Sequence, residues 1–302
     1  MGLYEKEIKT QMNLTCVTAV FNAIKAGKKE QLIRCVESIA KLTVAHEHLI
    51  YDGSSTDGTL ELLRELEKDT PGLKIASGPD SGVYNALNKG VCEAKGEWFY
   101  VLGADDYIAH PEVMDRLLRT EGETTQVIVS PVERDGGWGF FANMKDMERV
   151  LWDVPYSHQG LIMRTSLVRG LGGFDETYRV CADWDMMLKA HEMAVKYHYT
   201  FEPFAFYATG GMSESGDGVA KHEVIEVLKK HLELTDAEIE KYRGKGYWPF
   251  RVLRRYYHHP DLAFRMSARS LRRKAIRSFL HVLLLPLLIL IRPIRRKVGG
   301  TK

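Results

Sequence analysis

Leu14 to Val20 is an apolar run rich in β-branched residues, the pattern of a strand buried on both faces. Past Lys29 the period changes. Leu32, Val36 and Ile39 recur at helical spacing up to Leu42 and predict an amphipathic helix. A second strand ends over His48–Tyr51. Asp52-Gly53-Ser54-Ser55 then supplies turn chemistry, and Thr56 or Asp57 is placed to cap a helix carrying Leu60, Leu63 and Leu66. Leu73–Ala76 predicts a short strand, Gly82–Ala94 a helix with Val83, Leu87 and Val91 in line, and Glu97–Leu102 a strand running into Gly103-Ala104-Asp105-Asp106. Val127–Ser130 reads as one more strand, Asp183–Met193 and His222–Leu234 as helices, and Gly210–Gly218 as a Gly/Ser-rich loop, either a lid that closes over a ligand or a plain surface loop. Residues 131–182 show no clear period.

Strand–helix alternation of this kind predicts an α/β fold with a mainly parallel sheet flanked by helices. Ligands of such sheets bind beyond the carboxyl ends of the strands. Asp52 and Asp105-Asp106 both fall just past strand ends, so two acidic loops are expected to converge on one edge. The phosphate-binding sequences of P-loop NTPases and dinucleotide enzymes are absent; the loop after the first strand reads Val20-Phe21-Asn22-Ala23. Adjacent carboxylates after an apolar strand suit a hard cation such as Mg²⁺ or Mn²⁺, which takes oxygen ligands and borrows the rest from substrate phosphates. A turn or helix cap before Pro111 is the alternative for Asp105-Asp106 taken alone.

Taken in order, six blocks change that balance: Val20-Phe21-Asn22, Asp52 to Thr59, Asp80 to Gly90, Leu102 to Asp106, His158-Gln159-Gly160, and Ala182-Asp183-Trp184-Asp185. Over roughly residues 12–215 the chain resembles the family 2 inverting glycosyltransferases of GT-A fold. The resemblance implies a nucleotide-diphospho-sugar donor, most often a UDP-sugar, and a divalent metal, Mn²⁺ or Mg²⁺. It places Val20, Phe21, Asn22, Asp52 and Asp80 at the nucleotide, Asp105 at the ribose or donor sugar, Asp106 on the metal, and Asp183 as the base. His158 and Gln159 would face acceptor or diphosphate. Family members often carry an acid where this chain has Ala104, and a Glu where it has Ala182. In a helix Asp183 and Asp185 lie about 200° apart, so only one can face the site, and Asp185 is assigned a structural role. Trp184 is open to two readings, an acceptor-stacking platform or core. A sugar-phosphate nucleotidyltransferase and a non-catalytic membrane-binding module with a degenerate nucleotide site are the rival classes.

Charge adds a second feature. From Tyr242 onward there are 16 Lys and Arg against the single acid Asp261, a charge of +15, against −13 for residues 1–241; together they give the chain's +2. Residues 1–241 are therefore expected to form the catalytic domain and 242–302 a basic helical appendage. Phe279–Ile291 is a 13-residue run interrupted only by His281 and Pro286. It is shorter than the ~20 residues of a spanning helix. Arg272, Arg273 and Lys274 precede it and Arg295 and Arg296 follow, while Phe279, Leu284 and Leu288 supply apolar contact. A segment lying in or dipping into an anionic membrane surface fits this pattern better than a nucleic-acid-binding tail. The polar opening Met1–Thr10 lacks a secretory signal pattern, and the four cysteines form no C-x-x-C pair. The expected location is thus the cytoplasmic face of the cell membrane, and the family resemblance implies a lipid-linked or glycan acceptor there, such as a polyprenyl-diphosphate-linked glycan.

Overall fold

The computed structural model describes residues 12–135, 137–139, 156–193, 195–210 and 218–245. The membrane-facing residues expected between Arg272 and Arg296, and residues 211–217 of the Gly/Ser-rich loop, lie outside them.

In chain order the elements are β1 (Leu14–Val20), α1 (Lys29–Ala40), β2 (His46–Asp52), α2 (Thr59–Asp69), β3 (Leu73–Ser77), α3 (Val83–Glu93), β4 (Trp98–Val101), β5 (Tyr107–Ile108) and α4 (Pro111–Thr120). They continue with β6 (Val127–Val129), β7 (Val132–Arg134), β8 (Gly137–Gly139), β9 (Leu161–Arg164), α5 (Thr165–Gly170), α6 (Ala182–Glu192), β10 (Tyr197–Tyr199), β11 (Ala205–Phe206), α7 (Val219–Leu232) and α8 (Asp236–Lys245). The main sheet has the order β10-β6-β9-β4-β1-β2-β3. β3, β2, β1 and β4 run parallel, whereas β9 is antiparallel to both β4 and β6. The sheet is therefore mixed, largely parallel. A small second sheet, β5-β11-β7-β8, forms beside it.

The apolar run of β1 does what its pattern predicts: Leu14, Cys16 and Val17 are fully buried. Successive side chains point to opposite faces. On one face Thr18 reaches Cys35 of α1, and Val20 joins Leu32 and Val36 of α1 with Leu63 of α2 in one cluster. On the other face α3 packs so closely that a Cβ on Gly90 would stand 2.6 Å from Val17 Cγ1. Helices therefore cover both faces; β1, β2 and β3 end in register at Val20, Asp52 and Ser77, and β4 ends at Val101, opposite Val17. Helix α2 starts at Gly58 (φ +94), not at a side-chain cap, although the Asp57 carboxylate accepts the Thr59 N–H at 3.1 Å.

The chain divides into two compact units. The first comprises residues 1–141, 156–190 and 195–223 and holds both sheets. The second comprises residues 142–155, 191–194 and 224–302. Within the second, Thr235 and Glu238 form a reciprocal capping box at the start of α8, and His231 Nδ1 meets Glu192 Oε1 at 3.0 Å. Helix α8 runs across residue 241, where the change of composition begins.

Candidate active site

A cavity of about 830 Å³ opens in the first unit beyond the ends of β1 and β4. Val20, Phe21, Asp80, Asp105, Asp106, His158, Gln159 and Asp183 all line it. Asn22, Asp52 and Trp184 do not.

At one end lies an exposed aromatic. Phe21 has 65% of its surface accessible, unusual for a large apolar side chain beside a cavity. It shares a wall with Asp80: a Cβ on Gly53 would stand 2.9 Å from Asp80 Oδ2 and 3.4 Å from Phe21 Cδ2. Asn22 and Asp52 bond the adjoining loops. Asn22, held at φ +47, accepts the Thr56 N–H and donates its own N–H to Ser55 Oγ at 2.7 Å. The buried Asp52 carboxylate accepts from Ser55 N–H and, at 2.7 Å, from Ser77 Oγ. Both residues fix the loops that present Phe21.

The carboxylate pair Asp105-Asp106 lines the same cavity. A Cβ on Gly103 would stand 2.4 Å from Asp106 Oδ2 and 3.2 Å from Asp105 Oδ1, so the bare glycine is what lets both side chains fold back over the turn. Asp106 is buried. Its Oδ2 accepts from Gln159 Nε2 at 2.6 Å and its Oδ1 from the Ala208 N–H at 2.8 Å. Burial raises its pKa, partly offset by those two bonds and by His158, with Asp105 adding to the rise. Asp105 is more open, and its Oδ2 lies 2.5 Å from Lys28 Nζ. Gln159, the buried middle residue of the His158–Gly160 turn, thus works as a tether for Asp106. That turn has no room to vary, since a Cβ on Gly160 would stand 2.2 Å from the Ser130 carbonyl oxygen.

The third wall is the start of α6. Asp183 faces the cavity, and its Oδ2 lies 3.6 Å from His158 Nδ1, beyond hydrogen-bond length but close enough for charge to matter. Burial lowers the His158 pKa, but Asp183, with Asp106 and Asp105 behind it, reverses the effect and leaves it raised. Asp185 is fully buried and pairs with Lys189 at 2.8 Å, the structural role its helical angle predicts. Trp184 is fully buried too, so it has no face for an acceptor to stack on and belongs to the core.

Two contributors carried no sequence signal. Glu223, on α7, accepts three successive backbone N–H groups: Arg179 at 2.6 Å, Val180 at 2.8 Å and Cys181 at 2.9 Å. These immediately precede α6, so a carboxylate from 40 residues downstream anchors the chain that delivers Asp183. Glu176 does similar work one turn earlier, accepting from Asn85 and Asn88 of α3.

The sequence pattern of glycosyl transferase family 2 matches residues 15–185, more than half of the chain. The chain belongs to that family. A PGL/p-HBAD biosynthesis glycosyltransferase of Mycobacterium bovis is 32% identical over 164 residues, 51% of this chain and 62% of the relative. The chondroitin synthase of Pasteurella multocida is 29% identical over 173 residues, 53% of this chain and 17% of that protein. The chain thus matches less than two thirds of the length of these relatives. Among solved structures, the Pyrobaculum calidifontis mannosyltransferase in complex with GDP-Man and Mn²⁺ superposes with a TM-score of 0.59 at 17% identity, covering 95% of this chain and 83% of that one. S. aureus TarS with UDP-GlcNAc gives 0.59 at 17%, covering 82% and 73%. At such identities the likeness is one of fold, and the mixed, helix-flanked sheet is consistent with GT-A.

The donor set around Asp105 and Asp106 fits a hard divalent cation. Each carboxylate oxygen carries a second lone pair, so Asp106 can bind a metal while keeping its protein donors. Among the described residues no group of three His, Cys, Asp or Glu is placed to hold a metal.

Proposed function

We propose that this family 2 enzyme transfers a sugar, with inversion, from a nucleotide-diphospho-sugar (a UDP-sugar in the first instance) to a hydroxyl of a lipid-linked or glycan acceptor. The observation carrying this reading is that Asp183, His158, Asp105 and Asp106 line one cavity together with Phe21 and Asp80. Phe21 stacks the nucleobase, and Asp80 borders the nucleotide. Asp105 and Asp106 would hold the metal, which would supply neutralisation of the charge on the departing diphosphate. The acceptor oxygen attacks the anomeric carbon opposite the diphosphate. As that bond forms, the bond from the anomeric carbon to the diphosphate oxygen breaks and its electron pair leaves with the nucleoside diphosphate. Asp183 takes the acceptor's proton. His158 sits beside Asp183 and holds it by charge. Residues 242–302 bring the enzyme to an anionic membrane surface at the cytoplasmic face, where such an acceptor would be met.

The test is binding across UDP-, GDP- and dTDP-sugars with Mn²⁺, with Asp106→Ala beside the wild type. Metal-dependent preference for one donor, lost in Asp106→Ala, supports the reading. Binding to none of them refutes it.

A further inference from the structure

Lys28 is placed badly for its own helix. It is the N-cap of the 12-residue α1, a position that favours Ser, Thr, Asp or Asn, and its side chain makes no capping bond. Its positive charge also sits at the positive end of the helix dipole. The loop before it is wound to deliver it: the N–H groups of Ala26, Gly27 and Lys28 turn back onto the carbonyls of Asn22, Ile24 and Ala23, with Gly27 at φ +70. The ammonium reaches into the cavity, where it lies 2.5 Å from Asp105 Oδ2.

The cavity needs that charge. Its lining includes the acids Asp80, Asp105, Asp106, Glu176 and Asp183, against the cations Lys28 and Arg179 and the imidazole of His158, and Lys28 pairs directly with Asp105. A diphosphate entering such a site meets repulsion that a divalent cation offsets only in part. The same ammonium pairs with the carboxylate that a metal would want.

We propose that Lys28 is a diphosphate-binding residue that rests on Asp105 in the free protein. Donor binding transfers its ammonium from the Asp105 carboxylate to the diphosphate, and this exchange frees Asp105 for the metal. Lys28 and the metal therefore compete for Asp105 when no nucleotide is present, and act together when it is. The inference rests on the nucleotide-sugar reading of the cavity and adds to it a residue and an order of events.

The test is calorimetric titration of wild type, Lys28→Met and Lys28→Arg with UDP, GDP, dTDP and the matching nucleosides, and separately with Mn²⁺ alone. Loss of a charge-assisted bond predicts that Lys28→Met binds the preferred diphosphate about tenfold more weakly, with the nucleoside changed by less than about twofold. Lys28→Arg falls between wild type and Lys28→Met. Mn²⁺ alone binds Lys28→Met more tightly than wild type, because its competitor for Asp105 is gone. Unchanged diphosphate affinity in Lys28→Met overturns the proposal. So does equal weakening of diphosphate and nucleoside, which is the signature of a loop merely displaced, or weaker Mn²⁺ binding. A wild type that binds none of the diphosphates refutes the reading of the cavity itself, and Lys28's role with it.

Discussion

Glu223→Ala removes the acceptor of three consecutive backbone N–H groups leading into α6. A hydrogen bond to a charged acceptor contributes about 1.5–3 kcal/mol when its loss leaves a buried donor unpaired. Arg179 is exposed and water can replace its bond; Val180 is half-buried and Cys181 buried, so their donors are left stranded. The expected destabilisation is roughly 2–4 kcal/mol, lowering Tm by about 5–12 °C for a domain of this size. The kinetic effect should be larger than stability alone explains, because the released segment carries Asp183 two residues later. A misplacement of about 1 Å costs on the order of 10²-fold in turnover. Donor affinity should hold, since Phe21 and Asp80 stand on other elements. Glu223→Gln is the control. Its remaining carbonyl oxygen can take the place of Oε2, which serves both Val180 and Cys181, so most turnover should survive. Thermal melts, donor calorimetry and donor turnover of the three proteins make the comparison. A Glu223→Ala protein with lowered Tm but wild-type turnover refutes the positioning argument.

Three further outcomes are expected. Gly103→Ala forces a methyl to 2.4 Å from Asp106 Oδ2 and breaks that carboxylate's bonds to Gln159 and Ala208, so turnover should fall about 10²-fold with little change in the far-ultraviolet circular dichroism. The buried His48, bonded to Thr18 Oγ1 at 3.0 Å, has its pKa pushed down to about 3 by burial and then by His46. It stays neutral in the fold while the unfolded chain takes up a proton, so its contribution to stability is full above about pH 6.5 and declines by about 1.4 kcal/mol per pH unit toward pH 3; His48→Gln should flatten a denaturation series over that window, and an unchanged slope would count against it. Removing residues 246–302 should abolish co-sedimentation with phosphatidylglycerol vesicles, and retained binding would show that the basic segment is not the anchor.

The residues that announced themselves in the sequence share a physical feature: their environment is set by near neighbours along the chain. The β-branched run of β1 needs burial on both faces whatever packs there, and Asp105-Asp106 comes within five residues of the end of β4, so its place near the strand ends comes from topology. The small sheet was not legible. Its strands β5 and β11 are two residues long, and their pairing joins residues about a hundred positions apart, too short and too distant for any period to show. Glu223 lies inside a helical pattern in which a glutamate normally faces water, and its partners are backbone groups that leave no mark on residue choice. Trp184 was open to two readings because adjacency to Asp183 says nothing of direction; about 100° of helix rotation turns it into the core. Asp52 and Asn22 are not among the residues lining the cavity, and each bonds the loop that lifts Phe21 into place.

The most direct test of the central claim compares wild type with Asp183→Asn, by donor calorimetry and by turnover of the preferred nucleotide-sugar with Mn²⁺. The account predicts donor affinity within about threefold of wild type and turnover lower by about 10²–10⁴-fold, the contribution of a positioned general base. Wild-type turnover in Asp183→Asn would contradict it and remove that carboxylate from the mechanism.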